Sequence, residues 1–237
     1  MKLTKPIFNL KRKAKTLSRN ENIPLHEALD RIAVEEGLAS WSLLAAQHAA
    51  QSPASRIYGQ LQPGSLLLLA ARPGQGKTLL GLQLAIEAIR AGHHSFFFSL
   101  EYTEQECLDR FRSINVDPAE FKDRFEFDGS DAICADHITA RLSSAAPGTL
   151  AVVDYLQLLD QKRETPDLLL QVRSLRAFAQ SKGLVLVFIS QIDRHFDPMQ
   201  KALPDFDDVR LPNPLDLALF DRACFLHNGE VKVAKAS

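Results

Sequence analysis

A strand-length apolar run, Leu66-Leu-Leu-Leu-Ala-Ala71, passes directly into Arg72-Pro-Gly-Gln-Gly76, and Lys77-Thr78 then opens a helical pattern. A run of this length and composition predicts a strand buried on both faces. The pattern after it, with Leu79, Leu82, Leu84, Ile86 and Ile89, predicts an amphipathic helix. Between them, Gly74 and Gly76 let the backbone curl so that several N–H groups point inward. The N-terminus of the following helix adds a dipole that favours the same anion. Strand, glycine loop and helix in this order make a phosphate cradle. The expected phosphate-binding residues are Arg72, Pro73, Gly74, Gln75, Gly76, Lys77, Thr78 and Leu79. Lys77 is placed to reach the β- and γ-phosphates of ATP, and Thr78 to ligate Mg²⁺. The strict loop pattern begins with Gly, where this chain has Ala71.

The same alternation continues. Ser95–Leu100, Phe125–Phe127, Leu150–Asp154, Leu184–Ser190 and Val231–Ala234 are further strand-length runs, with a helical pattern at Leu168–Ala179. Near-continuous apolar strands separated by helices predict an α/β fold with a mostly parallel sheet covered on both faces.

The first fifty residues are different in kind. Ile7, Leu10, Ala14 and Leu17 share one helix face. Pro24 opens a second helix striped by Leu25, Ala28, Leu29, Ile32 and Ala33, and Gly37 fits its C′ position. Ser40 is a candidate N-cap for a third, carrying Trp41, Leu44 and Ala45. The expected organisation is a small helical segment at 1–50, a linker at 51–58 around Gln51-Ser-Pro-Ala-Ser55, and an α/β domain at 59–237.

The net charge of −1 excludes a molecule that is cationic as a whole. Its distribution is uneven, since Lys2, Lys5, Lys11, Arg12, Lys13, Lys15 and Arg19 precede the first acid, Glu21. Such an arm suits either phosphates or a solvated helix face. Cys107, Cys134 and Cys224 are far apart and suggest neither a zinc site nor a disulfide framework, which fits a cytoplasmic location. No apolar run approaches the roughly 18 residues of a membrane span.

Two carboxylates and an amide lie at strand ends, where open α/β sheets bind ligands. Asp154 ends one apolar run and is a candidate to hold Mg²⁺ through water. Glu101 follows another and is a candidate base for the attacking water, or else begins the first turn of the next helix. Gln191 ends a third and is a candidate sensor of the γ-phosphate.

Four segments occur in order: Ala-Arg-Pro-Gly-Gln-Gly-Lys-Thr78, Phe-Phe-Ser-Leu-Glu101, Val-Asp154-Tyr-Leu-Gln-Leu-Leu and Ile-Ser-Gln191-Ile-Asp-Arg. Together they resemble the motor domain of DnaB-type replicative DNA helicases, a RecA-like P-loop fold, over roughly Gly59 to the C-terminus. Asp208-Val-Arg210 and Leu215–Phe220 resemble that family's late Asp-Leu-Arg segment and the strand after it. The resemblance implies that Lys77 and Thr78 hold phosphate and Mg²⁺, Glu101 is the catalytic base and Asp154 the Walker B carboxylate. It implies that Gln191 couples the γ-phosphate to DNA-contacting loops. It further implies six-membered rings around single-stranded DNA. Lys235 fits the family's late Lys-x-Arg pair, but Ser237 stands at the place of the Arg. An arginine finger is worth about 10³–10⁵ in rate, so slow turnover is expected unless a partner supplies one. The N-terminal segment does not resemble the family's collar. A DNA motor with Lys201, Arg210, Arg194 and His195 along the DNA path is one expected function. An ATP-gated interaction module with weak hydrolysis and no unwinding is the other, and a small-molecule kinase ranks below both.

Overall fold

The fold, a computed structural model, describes residues 7–50, 52–121, 123–160, 166–211 and 213–235. The chain divides into two compact units, 1–56 and 57–237.

The first unit holds helices α1 (Ile7–Glu21), α2 (Leu25–Glu35) and α3 (Trp41–Ala50). Their apolar stripes meet in a core of Leu10, Ala14, Ala28, Ile32, Ala33 and Leu44. Gly37, at φ 84°, ends α2: its N–H reaches Val34 O, and the Leu38 N–H reaches Ala33 O at 2.9 Å. These are the paired bonds of a Schellman motif, which needs a left-handed residue at C′. Ser40 caps α3 by accepting from the Leu43 N–H at 3.3 Å.

The stretch expected to be a linker contains the boundary between the two units and is largely helical. Helix α4 spans Pro53–Tyr58. Ser52 accepts from the Ser55 N–H at 3.0 Å, and Pro53 takes the first helical position, where its missing N–H costs nothing. The Ser-Pro pair is therefore a helix start, not a breaker.

The second unit is built on a seven-stranded sheet. In chain order the strands are β1 (Leu66–Ala71), β2 (Ser95–Ser99), β3 (Phe125–Asp128), β4 (Leu150–Asp154), β5 (Val185–Gln191), β6 (Arg222–His227) and β7 (Glu230–Lys235). Their spatial order is β3-β2-β4-β5-β1-β6-β7, and every pairing but β6 with β7 is parallel. The helices are α5 (Lys77–Arg90), α6 (Glu104–Ser113), α7 (Ala135–Arg141) and α8 (Leu168–Lys182).

Strands β1, β2 and β4 are buried at every position, as parallel strands sheathed on both faces must be. Alternate residues serve opposite layers. Leu66, Leu68, Phe96, Phe98, Val153, Leu186 and Phe188 pack with Ile138 of α7 and Leu168, Val172 and Leu175 of α8. On the other face, Phe97, Val152 and Ile189 receive α5 at Gly81, where an added Cβ would lie 3.0 Å from Ile189 Cδ1 and 3.2 Å from Val152 Cγ1.

The late strand is not at Leu215–Phe220. Asp216 accepts from the Ala218 N–H at 3.0 Å and holds a 3-10 turn over Leu217–Leu219. Phe220 is buried edge-on against Phe188, with ring centroids 5.7 Å apart. The strand comes next, at Arg222–His227. It pairs with β7 through a two-residue turn in which Asn228 (φ 48°) and Gly229 (φ 81°) are both left-handed. That geometry suits the twist of a hairpin, and the Asn-Gly pair between two apolar runs was its signal in the sequence. No helix among the described residues is long and apolar enough to cross a membrane.

The close approach at Gly81 is testable. Gly81→Leu should lower stability by about 2–3 kcal/mol through overpacking. In Gly81→Ala the roughly 1 kcal/mol gained in helix propensity should offset most of the crowding. Equilibrium urea unfolding of the two variants checks this, and equal losses would contradict it.

Candidate functional site

Because the first five strands of the unit are parallel, their carboxyl ends share one edge of the sheet. The phosphate loop follows β1, Glu101 follows β2, Asp154 ends β4 and Gln191 ends β5. The four segments singled out from the sequence thus converge on one edge.

The loop itself is open. Gly74 and Gly76 have φ of 77° and 86°, and a Cβ built on either would meet nothing within 4 Å. Both are left-handed, a conformation in which a side chain would be strained, so their value lies in curling the backbone. Gly76 is the N-cap of α5, and no side chain caps that helix end. Its free N–H groups and dipole face the loop, where an anion would satisfy them.

At the base of the loop the Thr78 hydroxyl donates to Asp154 Oδ2 at 2.8 Å. Asp154 is fully buried, and its other oxygen, Oδ1, has no hydrogen-bond partner. Burial is the main reason its carboxyl pKa is pushed up to about 6; the bond from Thr78 opposes that, the charge of Glu101 adds to it and that of Lys77 subtracts. An ionised carboxylate with one oxygen unsatisfied is costly in such a place unless a cation comes to it. Hydroxyl and carboxylate oxygens are the donors Mg²⁺ prefers, and it takes few protein ligands when phosphates and water supply the rest. Thr78 and Asp154 therefore fit the ion expected from the sequence.

Glu101 lies outside the helix that follows it, which excludes the reading of Glu101 as a first-turn residue. Thr103 is the N-cap of α6 and forms a reciprocal capping box with Glu106. The Glu101 N–H donates to Ser99 Oγ at 3.1 Å. Those bonds fix the backbone on either side while the Glu101 side chain stays exposed. The Thr-x-x-Glu spacing was the signal for this boundary.

Gln191 is tied to Arg210. Its Oε1 accepts from Arg210 Nη1 at 3.2 Å, and its carbonyl accepts from the Arg210 N–H at 2.8 Å. Lys201 is ion-paired with Asp205 and Asp208 at 2.5 and 2.8 Å. With His195 held against Asp193 at 2.5 Å, three of the four residues expected along a DNA path are engaged within the domain.

Two anchors of the loop went unseen in the sequence. The Arg72 guanidinium donates to Arg194 O at 2.9 Å and to Phe196 O, and stacks over the Phe196 ring at 5.4 Å. Its side chain is therefore turned to the segment after β5, leaving only its backbone to the loop. Gln75 Oε1 accepts from the Asn228 N–H at 2.7 Å, which joins the loop to the β6–β7 hairpin. Nothing in the local sequence marks either contact, since each joins residues more than a hundred positions apart.

Residues 54–128 match the DnaB-like helicase C-terminal domain family. That stretch includes the phosphate loop and Glu101 but stops short of Asp154 and Gln191. The replicative DNA helicase DnaB of Helicobacter pylori is 24% identical over 193 residues, covering 66% of this chain and 40% of that protein. The Haemophilus influenzae DnaB is 24% identical over 205 residues, covering 72% and 44%. The chain thus spans less than half the length of these relatives. Among solved structures, a DnaB-like replicative helicase studied with primase matches with a TM-score of 0.62 and 17% identity, over 97% of this chain and 71% of that one. A KaiC-like protein from Pyrococcus horikoshii matches at 0.54 and 15%, over 73% and 80%. Around its phosphate loop this chain is similar in sequence to the DnaB-like helicase C-terminal domain family, and its fold is that of a DnaB-like replicative helicase.

Proposed function

We propose that the chain binds Mg²⁺-ATP at the loop after β1, hydrolyses it, and serves as the motor module of a DnaB-type machine acting on single-stranded DNA in the cytoplasm. The observation that carries this is the 2.8 Å bond from Thr78 to a buried Asp154 whose second oxygen is free, beneath an open glycine loop. Such a pair is of use chiefly to a cation that arrives with phosphates.

In this reading the N–H groups from Gly74 to Leu79 cradle the phosphates and the Lys77 ammonium neutralises them. Bound Mg²⁺ supplies a clamp that offsets charge on the β- and γ-phosphates. Glu101 takes the proton of the attacking water. Gln191 turns its amide N–H toward the γ-phosphate while Arg210 holds its oxygen, so the two move together. Assembly into rings, or a partner that supplies an arginine across the site, completes the charge balance. Ser237, at the position compared with that arginine, lies outside the described residues.

Two sets of measurements test the proposal. Lys77→Ala should weaken Mg²⁺-ATP binding at least a hundredfold by calorimetry. Glu101→Gln should bind within about threefold of the parent and hydrolyse about 10²–10⁴ times more slowly. Normal turnover by Glu101→Gln removes the base assignment, and absence of any stimulation by single-stranded DNA removes the motor.

The second concerns pH. A carboxyl near 6 holds its proton below that value and ligates Mg²⁺ poorly, so the gain in nucleotide affinity from Mg²⁺ should fall about tenfold per pH unit below 6. Without ligand the sign reverses. The folded value lies above the unfolded one, near 3.8, so ionisation of Asp154 costs stability above pH 6 and nothing below pH 4. Nucleotide-free Asp154→Asn should therefore be more stable than the parent by about 2–3 kcal/mol at pH 8 and equal to it at pH 4. A variant less stable at pH 8 would refute the buried-charge account.

A further inference from the structure

We propose that α1 carries a second, nucleotide-independent contact surface for DNA, formed by Lys11, Arg12, Lys15 and Arg19. At 100° per residue these four fall within one arc of about 100° on α1, roughly opposite Leu10, Ala14 and Leu17, which face the core of the N-terminal unit. Lys11 to Arg19 spans about 12 Å along the helix axis. Arg12, Lys15 and Arg19 are exposed and Lys11 is half-buried.

Four acids of the unit are engaged elsewhere. Glu35 is engaged by Lys13, which lies off it. Glu21 and Glu27 are taken by Arg31, at 2.6 and 2.8 Å. Asp30 accepts from the Trp41 N–H at 2.8 Å. Among the described residues no ion pair reaches Lys11, Arg12, Lys15 or Arg19. Helix α1 also has no acid in its first turn to balance its dipole. The result is an uncompensated row of four cations on a molecule whose net charge is only −1.

The chemistry selects the occupant. A row of cations spaced along a rod matches a row of phosphates. An anionic membrane is another polyanion, but a helix that binds there inserts its apolar face. The apolar face of α1 is already spent on α2 and α3. A nucleic-acid backbone is therefore the partner, and the choice of DNA rests on the proposed motor function. The surface lies on the N-terminal unit, so its binding requires neither the phosphate loop nor ATP.

The test uses the full chain and a fluorescent 30-nucleotide DNA, single-stranded and as a duplex, with anisotropy read at several salt concentrations. The parent should bind at least one of the two without nucleotide. Combined Lys11→Gln, Arg12→Gln, Lys15→Gln and Arg19→Gln should weaken that binding at least about tenfold at low salt and flatten the salt slope by about 3. Its thermal unfolding and DNA-free ATPase rate should match the parent, since all four side chains are off the core and off the site. Lys13→Gln should leave binding unchanged, and Lys77→Ala should retain it. The proposal is overturned if the parent binds DNA only with Mg²⁺-ATP, if the quadruple variant keeps parental affinity and slope, or if it loses binding to phosphatidylserine vesicles but not to DNA. A failure of Lys77→Ala to affect ATP would strike the nucleotide reading alone.

Discussion

A hydroxyl holds a carboxylate that has nowhere else to go. The bond from Thr78 to Asp154 joins the first turn of α5 to the end of β4, two strands away from β1 in the sheet. It satisfies one oxygen and leaves the other buried without a partner. The energetic tension that results is the organising fact of the domain's upper edge. Relief comes from neutralisation, by a proton or by a metal ion, since burial has pushed the carboxyl up to about 6.

For that pair to meet, α5 must lie close against the sheet. Gly81 makes this possible by offering no side chain where Ile189 and Val152 rise. The loop is then held at both flanks, through Arg72 to the segment after β5 and through Gln75 to the hairpin. The loop's floor is therefore rigid by packing and its walls by hydrogen bonds, while its mouth stays open. Such a division suits a site that binds one phosphate chain repeatedly without refolding.

Much of this was legible in the sequence for a simple reason. Strands buried on both faces cannot afford polar interruptions, so β1, β2, β4 and β5 stood out as apolar runs, and their first polar residues marked the functional edge. The loop glycines are local features and read locally, whereas the Thr103–Glu106 capping box was seen only in the structure. Three things were less legible. The Ser52-Pro53 pair has the composition of a linker and the geometry of a helix start. Leu215–Phe220 has the alternation of a strand, yet Asp216 turns it and Phe220 finds its burial against Phe188. The contacts of Arg72 and Gln75 depend on which strands are neighbours, and strand order is a property of the whole sheet.

The hairpin has a consequence of its own. Strand β7 is the outermost strand on its side of the sheet and keeps its far edge unpaired among the described residues, while the turn beside it grips Gln75. Anything that lays a strand along that margin, or tugs the tip of the ribbon, acts on the anion cradle through a single amide. The turn at the sheet's margin is thus one hydrogen bond from the loop that follows β1.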